Sequence, residues 1–200
     1  MDICGPISTT KNGNKYILVI QCQLSRFVIL VALKDQTAET IADSLIKRFL
    51  CIFGSFCCVL TDKGAAFCGK IIKIIANRFK FKKIETTAFS VWENGKVERS
   101  NWKICTYLRN FISRNTERDQ ILDIAQFHYN ISIHSTHNYK PYKIIFGFLP
   151  RFPSLGPLKK LEQLPTINNY VQNLIDKLNE ITKILTENIM AAKEKSKKKL

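Results

Sequence analysis

Strand and helix signals alternate through the first half of this 200-residue chain and then give way to helices alone, a pattern that predicts a layered α/β fold. Composition agrees: 46% of residues are apolar, enough to bury a core, which excludes a disordered chain. A third observation points to a site. Acidic residues are scarce, 16 against 31 Lys and Arg, yet several fall at strand ends, the edge where open α/β sheets hold their ligands.

The elements follow in order. Asp2-Ile3-Cys4 reads as the end of a strand. Asn12-Gly13 is a hairpin turn signal leading into Tyr16-Ile17-Leu18-Val19-Ile20. The apolar, β-branched run 27–33 is the next strand. Ile41, Leu45, Phe49 and Phe53 then recur at helical spacing behind a Thr37 cap. Cys57-Cys58-Val59-Leu60 reads as a short buried strand, with both thiols in the core, and Asp62 follows at its end. Ile71, Ile75 and Phe79 mark a helix, and 81–86 a further strand. Beyond residue 90, Val97, Ile104, Leu108 and Phe111 form one helical stripe. Ile121, Ala125 and His128 form another, and Pro141 opens a short third helix at its first position. Four prolines, at 150, 153, 157 and 165, bracket a linker. Val171, Leu174, Leu178, Ile181 and Leu185 then repeat with coiled-coil spacing, which suits a helix resting on its own domain or a partner helix equally.

Net charge is +15. The tail 193–200 supplies only +4 of it (five Lys, one Glu), leaving +11 on the body. Such an excess calls for a polyanion, either nucleic acid or an anionic membrane surface. The charge-free run 49–61 is 13 residues, short of the roughly 18 needed to span a bilayer. No basic stretch precedes an apolar one at the N-terminus, so no secretory leader is expected. The seven Cys form no C-x-x-C pair and are expected as reduced thiols of an intracellular protein. His128, His134 and His137 lie at no zinc spacing from a Cys, so no zinc site is expected.

Asp2 and Asp62 at strand ends and Glu98 near a helix start can converge on one point. Three converging carboxylates repel one another unless a cation joins them, and hard oxygen ligands suit Mg²⁺ or Mn²⁺. Two such ions, about 3.5–4 Å apart, clamp the attacking and leaving oxygens of a phosphoryl displacement. Strand-end Asp residues also form turns, and the helix dipole alone favours an early Glu, so these residues by themselves leave both readings open.

The spacing adds a resemblance. Thirty-five residues separate Asp62 from Glu98, and Asp2 precedes both. This resembles the Asp, Asp-35-Glu pattern of retroviral and retrotransposon integrases. Met1-Asp2-Ile3-Cys4-Gly5-Pro6 is similar to the family's first-Asp segment, and Leu60-Thr61-Asp62-Lys63-Gly64 with Phe67 to its second. Asn94-Gly95-Lys96-Val97-Glu98-Arg99 is similar to its Glu segment. Tyr129-Asn130, His134-Ser135 and Pro141-Tyr142-Lys143-Ile144-Ile145-Phe146-Gly147 resemble the downstream segment of long-terminal-repeat integrases of the Ty3/gypsy-like class.

The resemblance implies an RNase H-like fold, a five-stranded mixed sheet flanked by helices, followed by a C-terminal helical extension. It implies Mg²⁺ (or Mn²⁺), two ions with DNA bound, held by Asp2, Asp62 and Glu98. The implied chemistry is 3′-end processing of element DNA, then strand transfer into target DNA. Asn94 and Gly95 would form the entry to the Glu98 helix; Lys96, Arg99 and Lys103, on that helix or just before it, suit contact with DNA phosphates and a solvated helix face equally. Arg109 and Trp102 are further candidates for DNA contact. The expected division is a catalytic core at 1–150, a Pro-rich linker at 151–165 and an amphipathic helix with a Lys-rich tail at 166–200. DNA and further copies of the chain are the implied partners, with no membrane, and the location is nuclear.

Departures from the pattern are specific. Phe89-Ser90-Val91-Trp92-Glu93 stands where related sequences read roughly Tyr-His-Pro-Gln-Ser, and Cys22 stands where they carry an Asp. The sequence opens at the first-Asp segment, which suggests a fragment of a Pol polyprotein and a shortened central strand. Asp2 is then the weakest of the three sites, since a terminal strand frays. The alternative reading is a catalytically inactive, integrase-derived relic that only binds nucleic acid.

Overall fold

The computed structural model describes residues 1–62, 64, 67, 69–85, 106, 118–151 and 167–197. Contacts divide the chain into one unit of Met1–Gln21 with Val28–Gln126 and a second of Cys22–Phe27 with Phe127–Leu200.

The first unit is built on β1 (Asp2–Cys4), β2 (Tyr16–Gln21) and β3 (Val28–Leu33), antiparallel in the order β1-β2-β3. Asp2 stands opposite Val19, which stands opposite Leu30. The Asn12-Gly13 turn forms as expected: Gly13 takes φ +83° and its N–H donates to Thr10 O at 2.9 Å. Four successive residues of β2, Ile17 to Ile20, are buried, so this strand is covered on both faces.

Helix α1 (Ala38–Leu45) starts at the expected cap, where Thr37 Oγ1 accepts from the Thr40 N–H. Asp35 reinforces that start by accepting from Thr37 N (3.0 Å), Thr37 Oγ1 (2.7 Å) and Thr40 Oγ1 (2.7 Å). These bonds stabilise the carboxylate and hold its pKa below the ordinary value. The helical stripe does not run straight on to Phe53. A π-helical turn, Ile46–Leu50, intervenes before α2 (Cys51–Phe53). The wider turn shifts the phase of the stripe. Phe49 thereby meets Phe53 at 5.3 Å and Phe56 at 5.2 Å, and Phe56 meets Phe81 at 4.4 Å.

Next come β4 (Cys58–Thr61), α3 (Lys70–Phe79) and β5 (Lys82–Glu85). Strands β4 and β5 are parallel, with α3 as their crossover. Cys57 and Cys58 are exposed and not core, because strand alternation turns Val59 and Thr61 inward and Cys58 outward. The reduced-thiol expectation holds for Cys22, Cys51, Cys57 and Cys58 but fails at Cys4, which is disulfide-bonded to a partner outside the described residues.

Among the described residues five strands form two hydrogen-bonded groups, one antiparallel and one parallel, as a mixed arrangement requires. The start of β1 nevertheless lies beside β4: the Met1 ammonium donates to Leu60 O at 2.7 Å.

Helix α4 (Arg118–Ile131) begins in the first unit and ends in the second. Its Asp119 Oδ2 accepts from Thr10 Oγ1 (2.7 Å), Asn12 Nδ2 (3.0 Å) and Asn14 Nδ2 (2.8 Å), tying the first helical turn to the β1–β2 connection. Leu122 and Ala125 are buried one turn on.

In the second unit, α5 (Pro141–Phe146) carries Pro at its first turn, as expected. Gly147 closes it at φ +76°, with Leu174 of the following helix so close that an added Cβ would lie 2.7 Å from Leu174 Cδ1. That helix, α6 (Ile167–Lys197), uses the lower half of its apolar seam internally: Ile181 and Leu185 are buried with Ile144, and Tyr139 packs on them. The upper half differs, since Val171 is 45% exposed. The stripe 97–111 and the linker at 151–165 fall almost wholly outside the described residues.

His137 is fully buried, with Nε2 3.1 Å from Ser25 O and Nδ1 accepting from the Tyr139 N–H at 3.1 Å. Only the neutral tautomer with its proton on Nε2 satisfies both partners. Burial accordingly lowers its pKa; the bond to Ser25 opposes the shift, and the Arg26 charge adds to it. The side chain is a structural latch between the 22–27 turn and the 134–139 segment.

Candidate active site

Two of the three candidate ligands lie among the described residues, and both belong to the first unit. Asp2 is half-buried on β1, and its Oδ1 accepts from the Ile3 N–H at 2.8 Å. Asp62 is exposed immediately after β4. Its Oδ1 accepts from the Gly64 N–H at 3.0 Å, a local turn that orients the carboxylate. The same closeness makes Gly64 useful, because an added Cβ would sit 3.0 Å from Asp62 Oδ1.

The Met1 ammonium is held next to β4, and burial lowers its pKa. The charges of Asp2 and Asp62 both oppose that shift. Anionic oxygen donors of this kind match hard divalent cations such as Mg²⁺. Among the described residues no three His, Cys, Asp or Glu side chains gather into a metal-holding group. Glu98, the third candidate, lies outside the described residues, as do Asn94, Gly95, Lys96, Arg99, Lys103, Trp102 and Arg109.

Sequence reasoning missed two features near these strands. The Asp119 cluster joins residues more than a hundred positions apart, which no local pattern announces. The bond from Met1 N to Leu60 O depends on the adjacency of β1 and β4, again a tertiary fact.

Three solved structures share this architecture. The catalytic core domain of BIV integrase superposes with a TM-score of 0.55, 17% identity, and coverage of 72% of this chain and 90% of that one. The HTLV-2 integrase catalytic core in complex with magnesium gives a TM-score of 0.54 and 18% identity, over 71% and 92%. A simian T-cell lymphotropic virus intasome in complex with PP2A regulatory subunit B56 gamma gives 0.58 and 20% identity, over 82% and 59%. The fold is therefore that of integrase catalytic cores, the RNase H-like class.

Sequence comparison narrows the class. The chain is 28% identical over 199 residues to a retrovirus-related Pol polyprotein from transposon 412 of Drosophila melanogaster. It is 25% identical over 190 residues to the Tf2-3 transposon polyprotein of Schizosaccharomyces pombe. These matches cover 98% and 94% of this chain but only 16% and 14% of the polyproteins. No family model matches the sequence. The chain thus resembles the integrase catalytic core of a long-terminal-repeat retrotransposon or retrovirus.

Proposed function

We propose that this chain is the catalytic core of a retrotransposon integrase, one segment of a longer Pol polyprotein, and that it carries out 3′-end processing and DNA strand transfer. The observation that carries the reading is Asp2 on β1 and Asp62 directly after β4, with the Met1 nitrogen donating to Leu60 O so that the start of β1 lies beside β4. The integrase-core fold and the similarity to Pol polyproteins support it.

In this reading Asp2 and Asp62, with Glu98 as the third ligand, hold Mg²⁺ or Mn²⁺, two ions once DNA is bound. The metal supplies charge stabilisation at the scissile phosphodiester. The chain's own residues do the positioning. Gly64 N–H fixes the Asp62 carboxylate. The β1–β2 register fixes Asp2 opposite Val19. Lys96, Arg99 and Lys103 neutralise DNA phosphates, and Asn94-Gly95 admits close approach of the strand. The core spans 1–150, the linker 151–165 and the terminal helix 166–200. Several copies act together on DNA in the nucleus.

The test is a Mn²⁺-dependent disintegration assay, the reverse of strand transfer, on branched DNA, comparing the chain with Asp62→Asn after circular dichroism shows both folded. Religated product from the parent alone supports the proposal. A folded parent that binds DNA and yields no product supports the relic reading, which the altered 89–93 segment favours.

A further inference from the structure

The second unit carries an aromatic surface that the carboxylate site does not use. On α5, Tyr142 and Phe146 lie one turn apart with ring centroids at 4.5 Å. Phe148 adds a third ring, 6.2 Å from Tyr142 and 6.3 Å from Phe146. Phe127 stands 6.4 Å from Tyr142, and Phe27 stands 5.9 Å from Phe146. All five residues are at least partly exposed. Phe148 is 53% exposed and Leu149 beside it 45%. Core clusters bury their rings, whereas this one presents them to solvent.

The sequence that carries these rings is basic. From residue 124 to residue 161 the sequence contains no Asp or Glu, yet it contains Lys140, Lys143, Arg151, Lys159 and Lys160. Among the described residues of this unit, carboxylates occur only on α6. A second copy of this +15 chain docking on the patch would bring like charges together, whereas a polyanion would neutralise them. Partly exposed rings on a segment that also carries Lys140 and Lys143 match unpaired bases stacking while their phosphates are neutralised. Duplex DNA gains less here, because its bases are already stacked.

We infer that Tyr142, Phe146 and Phe148, with Lys140 and Lys143, form a stacking platform for single-stranded DNA. The choice of DNA over RNA rests on the proposed function; the platform itself does not require catalysis. Stacking contributes about 1–3 kcal/mol per base, so losing one ring is expected to weaken binding about tenfold.

The test measures binding of a fluorescent dT20 oligonucleotide by anisotropy at fixed salt. It compares the full chain with the double variant Tyr142→Leu/Phe148→Leu, which keeps apolar volume and removes the π-faces. A loss of tenfold or more with an unchanged dichroism spectrum is expected. In parallel, photocrosslinking of a 5-iodouracil oligonucleotide to the parent chain is expected to label Tyr142 or Phe148, a readout independent of any variant's folding. Affinity within twofold of the parent, or crosslinks confined to other segments, would overturn the inference. So would a variant that alters sedimentation but not dT20 affinity, which would mark the patch as a contact between copies. Failed disintegration with intact crosslinking at Tyr142 removes the catalytic reading alone.

Discussion

Replacing His137 tests the latch in the second unit. His137→Ala removes the bond to Ser25 O and the acceptor for the Tyr139 N–H, both 3.1 Å long. Ser25 is 1% exposed, so water does not readily replace the lost donor. An unsatisfied buried group costs about 1–3 kcal/mol, and two such groups plus the lost ring packing place the penalty at about 3–4 kcal/mol. The pH dependence gives a second reading. Burial lowers the folded pKa of His137 below its ordinary 6.5, so the unfolded chain takes up the proton first as pH falls. The latch is at full strength above that ordinary value and is lost as pH falls below it towards the folded pKa. One proton limits the slope to about 1.36 kcal/mol per pH unit. Hydrogen exchange read by mass spectrometry on peptides spanning 22–27 and 134–139 measures the local opening free energy. The parent is expected to lose protection between pH 7 and 5, and His137→Ala to be weaker at pH 7 with that slope reduced. Equal slopes in parent and variant, or a penalty under about 1 kcal/mol, would refute the tautomer argument.

Other outcomes follow from the same contacts. Asp119→Ala leaves Thr10, Asn12 and Asn14 without their shared acceptor, and a loss of about 1–3 kcal/mol in chemical denaturation is expected, since part of the cluster is exposed. Leu185→Ala empties a fully buried position beneath α5 and should cost about 2–5 kcal/mol by the same measurement. Cys57 and Cys58 are exposed and free, so both should alkylate in the folded chain faster than half-buried Cys22. The Asp35 carboxyl should titrate below the ordinary Asp range in carbon-13 NMR, and Thr37→Ala should move it back up.

Much of the fold was legible because period and punctuation are local. The Thr37 cap, the Asn12-Gly13 turn and Pro141 each act within a few residues of themselves, and each appears where the sequence places it. Cys57 and Cys58 misled because apolar character was taken for burial, while the alternation along β4 selected Val59 and Thr61. The π turn at Ile46–Leu50 was illegible because the apolar stripe fits an unbroken helix, and the ring cluster around Phe56 and Phe81 forms only in three dimensions. Of the candidate site, Asp2 and Asp62 were readable as strand-end carboxylates, but the neighbouring of β1 and β4 is a tertiary fact that no local pattern announces. The His137 latch escaped notice for the same reason, its partner Ser25 being 112 residues away.

Mn²⁺ binding measured by electron paramagnetic resonance tests directly whether Asp2 and Asp62 form one cation site. The parent, Asp2→Asn and Asp62→Asn would each be titrated with Mn²⁺ at fixed ionic strength. Saturable binding to the parent, weakened strongly by either substitution, is the expected result. Binding left unchanged by both would contradict a shared site.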